Sequence, residues 1–198
     1  TTKTIHGIEK QTTKETADQI QQGIAKEILR FHVLANSDSE EDQKLKLEVK
    51  DRLVDYMKDI LDGAEDVKET KKRITENRET ICLVAEQEIQ KQGYTYPVSV
   101  NLEKCYFPMK TYGDCTFPAG TYEALRVCIG KAKGRNWWCV LYPGLCFADS
   151  VNVIVPDEKK QELKNILTEE EYESLFDWRE DDYQIRSGFL RLWRKLFA

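Results

Sequence analysis

Histidine is almost missing from this chain, whose 198 residues include only His6 and His32. Serine and cysteine nucleophiles usually need a histidine base, and zinc sites usually need histidine or closely spaced cysteine pairs. None of the six cysteines forms a C-x-x-C pair. The nucleophile-elbow, zincin and phosphate-loop motifs are also missing. We therefore expect no metal, no cofactor and no catalytic residue, and His32 is expected to lie within a strand.

The chain also lacks long hydrophobic segments and a net positive charge. No run approaches the roughly 20 residues that span a bilayer. The net charge of −5 argues against a nucleic-acid partner, because phosphate binding needs a basic surface. The chain starts at Thr1 without methionine, and we expect that a signal or anchor was removed upstream.

Hydrophobic periodicity predicts an α+β fold in three parts. We expect a solvated tether over 1–19, an α+β domain over 20–155 and a helical C-terminal extension over 156–198. The domain should hold a short helix, an N-terminal strand over 29–35, and two long helices packed on a sheet. The sheet should be an antiparallel meander of three consecutive strands. The predicted long helices are about 40–62 and 66–92, and the predicted strands are 94–107, 121–129 and 137–142.

The loop from Asn36 to Ser39 follows the N-terminal strand. Ser39, or Ser37 with Glu40, can cap the helix that comes next. Alternatively, Asn36 and Asp38 bind a partner or an ion at the carboxyl end of the strand. Both roles are compatible with the same loop.

Adjacent tryptophans, Trp137 and Trp138, mark the last predicted strand. Neighbouring side chains on a strand point to opposite faces. One indole can therefore enter the core, while the other is left on the far face or at the surface, where an exposed aromatic indicates a partner. The alternative is that both indoles belong to the core.

A proline–glycine turn at Pro143-Gly144 separates Cys139 from Cys146. The turn lets the chain double back and bring the two sulfur atoms together. We predict a disulfide between them, with two free buried thiols as the alternative. Six cysteines allow fifteen complete connectivities, among which the sequence does not choose.

The C-terminal segment 189–197 predicts a basic amphipathic helix. Its apolar residues, including Leu192, Trp193 and Phe197, share one arc, and three basic residues lie opposite. Such a helix can lie on an anionic membrane, dock on a partner or fold back on its own domain.

Long motifs occur in order between about residues 20 and 150. They are Arg30–Ser39 with Glu41-Asp42-Gln43, Tyr112-Gly113-Asp114, Pro118–Val127 and Asn136–Phe147. Together they closely resemble the stage II sporulation protein R family. The resemblance implies a signalling protein that is secreted into the space between the forespore and mother-cell membranes. Its implied partner is a membrane-embedded aspartic protease, which then cleaves the precursor of sigma-E.

We expect this receptor to contact Trp137, Trp138 and Tyr142, with Asn36 and Asp38 as a second candidate surface. The catalytic aspartates would then belong to the receptor. The alternative function is a cell-wall hydrolase of the intermembrane space, which would need a pair of acidic side chains in an open cleft.

Overall fold

The computed structural model describes residues 17–147 and 154–177. Most of the predicted tether and the basic helix at 189–197, with Leu192, Trp193 and Phe197, lie outside these residues. The helices are α1 (17–27), α2 (Glu40–Leu61), α3 (Val67–Glu76), α4 (Arg78–Lys91), α5 (Asp157–Ile166) and α6 (Glu169–Asp177). The strands are β1 (Leu29–Leu34), β2 (Val98–Phe107), β3 (Lys110–Tyr112), β4 (Cys115–Phe117), β5 (Gly120–Ile129) and β6 (Asn136–Tyr142), and a 3₁₀ turn covers Leu145–Phe147.

Four strands form one mixed sheet in the order β2-β5-β1-β6. β2 pairs antiparallel with β5 over ten residues, and β6 pairs antiparallel with β1. β1 runs parallel to β5, with His32 opposite Arg126. The prediction of an α+β fold with a mostly antiparallel sheet is confirmed.

The predicted meander is wrong in its strand order. β5 and β6 are consecutive long strands, but β1 lies between them. A parallel pair needs a long crossover connection, and between β1 and β5 the chain passes through α2, α3, α4, β2 and the β3–β4 hairpin. Local periodicity identifies strands but carries no information about this insertion.

The second long helix that we predicted is two helices, α3 and α4, which meet at Asn77. The Asn77 side-chain amide donates to the Arg73 carbonyl at 2.8 Å, and its oxygen accepts from the Tyr56 hydroxyl at 3.2 Å. Asparagine competes with the helix ladder through such bonds.

The connection between β2 and β5 contains a small hairpin that we did not predict. β3 and β4 pair with each other across Gly113-Asp114 and belong to no other described sheet. Gly113 has φ +56° and lies against the Ile154–Val155 backbone, where an added Cβ would meet the Val155 nitrogen at 2.8 Å. Glycine therefore satisfies both the turn and the close approach.

Each face of the sheet carries its own hydrophobic core. α2, α3 and α4 cover the first face, and α1, the hairpin, α5 and α6 cover part of the second. The first core includes Phe31, Val49, Leu53, Met57, Ile81 and Leu125. The second includes Ile24, Phe107, Phe117, Tyr122, Val140 and Leu163. The strand β1 contributes Leu29, Phe31 and Val33 to the first core, and on the other face it places Arg30 and His32 against Phe107 of the second core.

Candidate functional site

The two tryptophans of β6 lie on opposite faces of the sheet, as the strand period requires. Trp137 faces the first core, with its ring centroid 5.5 Å from that of Phe31 and 5.3 Å from the Lys50 ammonium. Trp138 faces the second core and stacks on His32 at 5.0 Å. Both indoles are half-buried. The second indole therefore lies on the far face, which is one of the two outcomes that we expected, and neither indole is fully exposed because both faces of β6 are partly covered.

A disulfide joins Cys139 to Cys146 across the turn, with Cα atoms 5.7 Å apart, as we predicted. Cys146 packs against the first core and Leu145 belongs to the second. The chain after β6 therefore crosses the edge of the sheet and covers it. The remaining cysteines, Cys82, Cys105, Cys115 and Cys128, are free.

Tyr142 ends β6 and connects the turn to the helical layer. Its hydroxyl donates to the Glu65 carbonyl at 2.9 Å, in the loop between α2 and α3. Burial raises the pKa of Tyr142. One predicted receptor contact therefore also has an internal role, which is to hold the end of β6.

Asn36 and Asp38 connect the β1–α2 loop to the β5–β6 loop. The Asn36 side-chain oxygen accepts from the Lys131 amide at 2.9 Å, and its amide donates to the Asp42 carboxylate at 2.8 Å. Asp38 accepts from the Arg135 amide at 2.6 Å. We call this set the loop clamp. It fixes the start of β6 and therefore the position of both tryptophans.

Asp42 is the buried anchor of the loop clamp, with an exposed fraction of 5%. Ser37 donates to its carboxylate at 2.5 Å, in addition to Asn36. Burial alone would raise the pKa of Asp42, but the bonds from Ser37 and Asn36 outweigh that effect and hold the pKa below its ordinary value. The Asp42 amide also donates to the Ser39 hydroxyl, which makes Ser39 the helix cap of the two candidates that we considered.

Sequence reasoning missed Lys46, which is also buried at the loop clamp. Its ammonium donates to Gln43 at 2.7 Å and to the Arg135 carbonyl at 3.2 Å. Burial lowers the pKa of Lys46. Asp42 and Lys46 are polar residues four apart beside the apolar stripe of α2, and this spacing was the available signal.

Sequence reasoning also missed Arg30, which is fully buried on the second face of the sheet. His32, which we placed correctly within a strand, is 3% exposed, and neither of its ring nitrogens has a hydrogen-bond partner. Burial is the main reason that the pKa of His32 is lowered to about 4, and the nearby Arg126 charge adds to it.

No group of three or more histidine, cysteine, aspartate or glutamate side chains is placed to hold a metal within residues 17–147 and 154–177. Over the same residues, no helix has the length and apolar character required to cross a membrane.

These features define an α+β protein with a mixed sheet that carries a disulfide-closed aromatic strand at its edge. Residues 25–152 match the family model described as stage II sporulation protein R. The chain is also 33% identical over 174 residues to the stage II sporulation protein R of Bacillus subtilis (strain 168), covering 85% of this chain and 76% of that protein. The chain therefore belongs to the stage II sporulation protein R family. No solved structure matches it.

Proposed function

We propose that this protein is a secreted sporulation signal that activates a membrane-embedded aspartic protease, which then processes the precursor of sigma-E. Membership of the stage II sporulation protein R family is the observation that carries the proposal. The site of action is the space between the forespore and mother-cell membranes. The Cys139–Cys146 disulfide supports an extracytoplasmic location, because disulfides persist in oxidising compartments.

A protein ligand can activate a receptor only by binding the active state more tightly than the inactive state. Shifting the receptor from about 1% to about 99% active requires roughly a 10⁴-fold preference. Such a preference needs a surface that keeps its shape. The loop clamp and the disulfide hold the two ends of β6 in place.

The proposed contact surface is the half-buried ribbon of Trp137, Trp138 and Tyr142, with Asn36 and Asp38 beside its start. Aromatic rings with one solvent-exposed face supply a large contact area, and they lose little side-chain entropy on binding. In this proposal Asn36 and Asp38 mainly position the ribbon and contact the receptor less, because their side chains already bind the β5–β6 loop. No specific observation in the described residues favours the alternative of a cell-wall hydrolase.

The decisive experiment compares ribbon variants with core variants of similar stability. Trp137→Ala and Trp138→Ala should abolish precursor cleavage in cells that express the receptor protease. The matched controls are Phe31→Leu and Phe107→Leu, because each fully buried ring packs on one of the tryptophans. The control variants lose core packing but leave the indoles in place, so they should still signal.

Urea unfolding of the four purified variants measures their stabilities, so that signalling can be compared between variants of similar stability. Each truncation should cost about 2–4 kcal/mol of unfolding free energy, and circular dichroism at low urea shows whether the variant is folded. The contact assignment fails if a folded tryptophan variant signals at the level of its phenylalanine control. The receptor proposal itself fails if the full-length protein neither binds the receptor's extracytoplasmic part nor changes its cleavage activity.

A further inference from the structure

Arg30 is a charged residue sealed inside the protein. Its exposed fraction is 0%, on the strand between β5 and β6. The guanidinium makes one side-chain hydrogen bond, from Nη2 to the Tyr112 hydroxyl at 3.2 Å. Nε and Nη1 have no partner. No carboxylate among the described residues forms an ion pair with Arg30, and burial is the main cause of the shift in its pKa.

Aromatic rings surround this guanidinium. Its central carbon lies 4.5 Å from the Phe107 ring centroid, 5.1 Å from Tyr122, 5.4 Å from Phe117 and 5.7 Å from Tyr112. Each such contact attracts the cation to the electron-rich face of a ring. The contacts offset part of the cost of burying an unpaired ion, but they satisfy no N–H donor. Burial lowers the pKa of Arg30, yet a guanidinium keeps its proton in proteins.

His32 adds a second unsatisfied group on the same strand face. Side chains two residues apart on a strand point the same way, about 7 Å apart. The His32 ring lies between Trp138 and Phe107, with centroids 5.0 Å and 5.2 Å away. Four buried nitrogens, two from each residue, therefore lack partners on one face of β1. Arg30 Nε, Arg30 Nη1 and one nitrogen of the neutral His32 imidazole carry N–H donors. Buried donors are rarely left unpaired, and such a cluster calls for an acceptor.

The geometry points to a binding site for a small carboxylate anion between Arg30 and His32. A carboxylate has two acceptor oxygens, so it can take N–H bonds from the guanidinium and from the neutral imidazole together. It also supplies the single negative charge that balances Arg30. Formate and acetate are the smallest carboxylates, and they are therefore the probes used for this site.

Phosphate fits the same site less well. Its second negative charge would need a second buried cation, and His32 is neutral near pH 7 because burial holds its pKa at about 4. Arg126 lies opposite His32, but its guanidinium is already paired with Glu103 at 2.8 Å. The charge balance therefore favours a monoanion.

The β3–β4 hairpin provides the route of entry. It carries Tyr112 and Phe117, two of the four rings, and forms no backbone ladder with the main sheet. It can move without breaking main-sheet hydrogen bonds. Its attachment at the turn is the Asp114 carboxylate, which accepts from the Val155 amide at 3.0 Å and from the Lys160 ammonium at 2.5 Å.

The test measures thermal unfolding of the full chain in sodium formate and in sodium chloride of equal ionic strength. Formate should raise the melting temperature by about 2–4 °C over chloride, which is the shift that about 1 kcal/mol of ligand binding produces in a chain of this size. Arg30→Met should abolish this difference. It should also melt no lower than the parent in chloride, because it removes an unpaired buried charge. Arg135→Met is the matched control, since that side chain is 74% exposed, and it should respond to formate as the parent does.

Nuclear magnetic resonance of the imidazole groups locates the anion. The chain has two histidines, so His6 is an internal reference for His32. Formate should shift the His32 resonances with saturation and leave those of His6 unchanged.

Three results would overturn the assignment. An equal formate response in the parent and in Arg30→Met would show an effect of salt alone. A marked loss of stability for Arg30→Met in chloride would show that the ring contacts alone explain Arg30. Stabilisation by N-acetyl-aspartate but not by formate or acetate would assign the site to an acidic side chain of a protein in place of a free small anion.

Discussion

Replacing Asn36 with alanine tests whether this residue stabilises the loop clamp or only contacts a receptor. The side chain makes two hydrogen bonds to different parts of the chain. One accepts from the Lys131 amide at 2.9 Å, and the other donates to the buried Asp42 carboxylate at 2.8 Å. Alanine removes both bonds and leaves the backbone bond from Lys133 to the Asn36 carbonyl intact. The change therefore isolates the side-chain contribution.

The expected cost follows from the two bonds. A hydrogen bond between neutral groups contributes about 0.5–1.5 kcal/mol, and one to a charged group about 1.5–3 kcal/mol. Asn36 is half-buried, so water can replace part of the Lys131 contact, whereas Asp42 is 5% exposed and keeps only its other donors. We expect Asn36→Ala to lower the free energy of unfolding by about 2–4 kcal/mol, with most of the loss at Asp42.

Urea unfolding followed by circular dichroism measures this loss. With a slope of about 2–3 kcal/mol per molar, the midpoint should fall by about 1 M or more. The matched control is Asn101→Ala, which changes an exposed asparagine on β2 and should unfold within about 0.5 kcal/mol of the parent. If Asn36→Ala unfolds as the parent does, the clamp does not stabilise the loop and the structural role of Asn36 is refuted.

The same variant has a predicted pH dependence. The pKa of Asp42 is lowered in the folded protein, so its contribution to stability is complete above its ordinary value of 3.8 and disappears as the pH falls through the lower folded value. The difference between the parent and Asn36→Ala should therefore shrink in acid. A difference that stays constant to pH 2 would mean that Asn36 does not act through Asp42.

Two further predictions concern His32 and the disulfide. Folding lowers the pKa of His32 from 6.5 to about 4. The parent should therefore lose up to about 3 kcal/mol of unfolding free energy as the pH drops from 6.5 towards 4, and His32→Phe should lose less over the same range. Parallel pH profiles of the two proteins would contradict this prediction. Reduction of the Cys139–Cys146 bond, which closes a loop of sequence separation 7, should lower the free energy of unfolding by about 2–3 kcal/mol. Dithiothreitol should have no such effect on a Cys139→Ala/Cys146→Ala double variant, and an equal effect there would assign the loss to another cause.

Local sequence signals predicted the parts of this fold that depend on neighbouring residues. The α2 stripe, the Ser39 cap and the Cys139–Cys146 turn all lie within a few residues of the signals that mark them. The position of β1 between β5 and β6 depends on contacts about 90 to 110 residues away. Periodicity cannot supply those pairings, which is why the predicted meander was wrong.

The partners of the candidate site residues could not be predicted from local sequence patterns either. Asn36 and Asp38 were identified from their place after a strand, and that placement is right. Their partners are the amides of Lys131 and Arg135, and backbone groups leave no mark in a sequence. Arg30 was overlooked for the opposite reason, because a charged residue in an apolar strand is normally expected at a surface.

β1 connects the features that the sequence presented as separate. Its odd-numbered side chains pack under α2 and α4, and its even-numbered residues Arg30 and His32 lie on the second face. The loop that follows it supplies Asn36 to the loop clamp. β6 pairs with β1 along its length, with Trp138 opposite His32 and Trp137 opposite Val33. A change in the buried polar groups of β1 is therefore transmitted to the tryptophans through one strand pair. This predicts that Arg30→Met alters Trp138 fluorescence, although the two residues lie on different strands, whereas Arg135→Met leaves it unchanged.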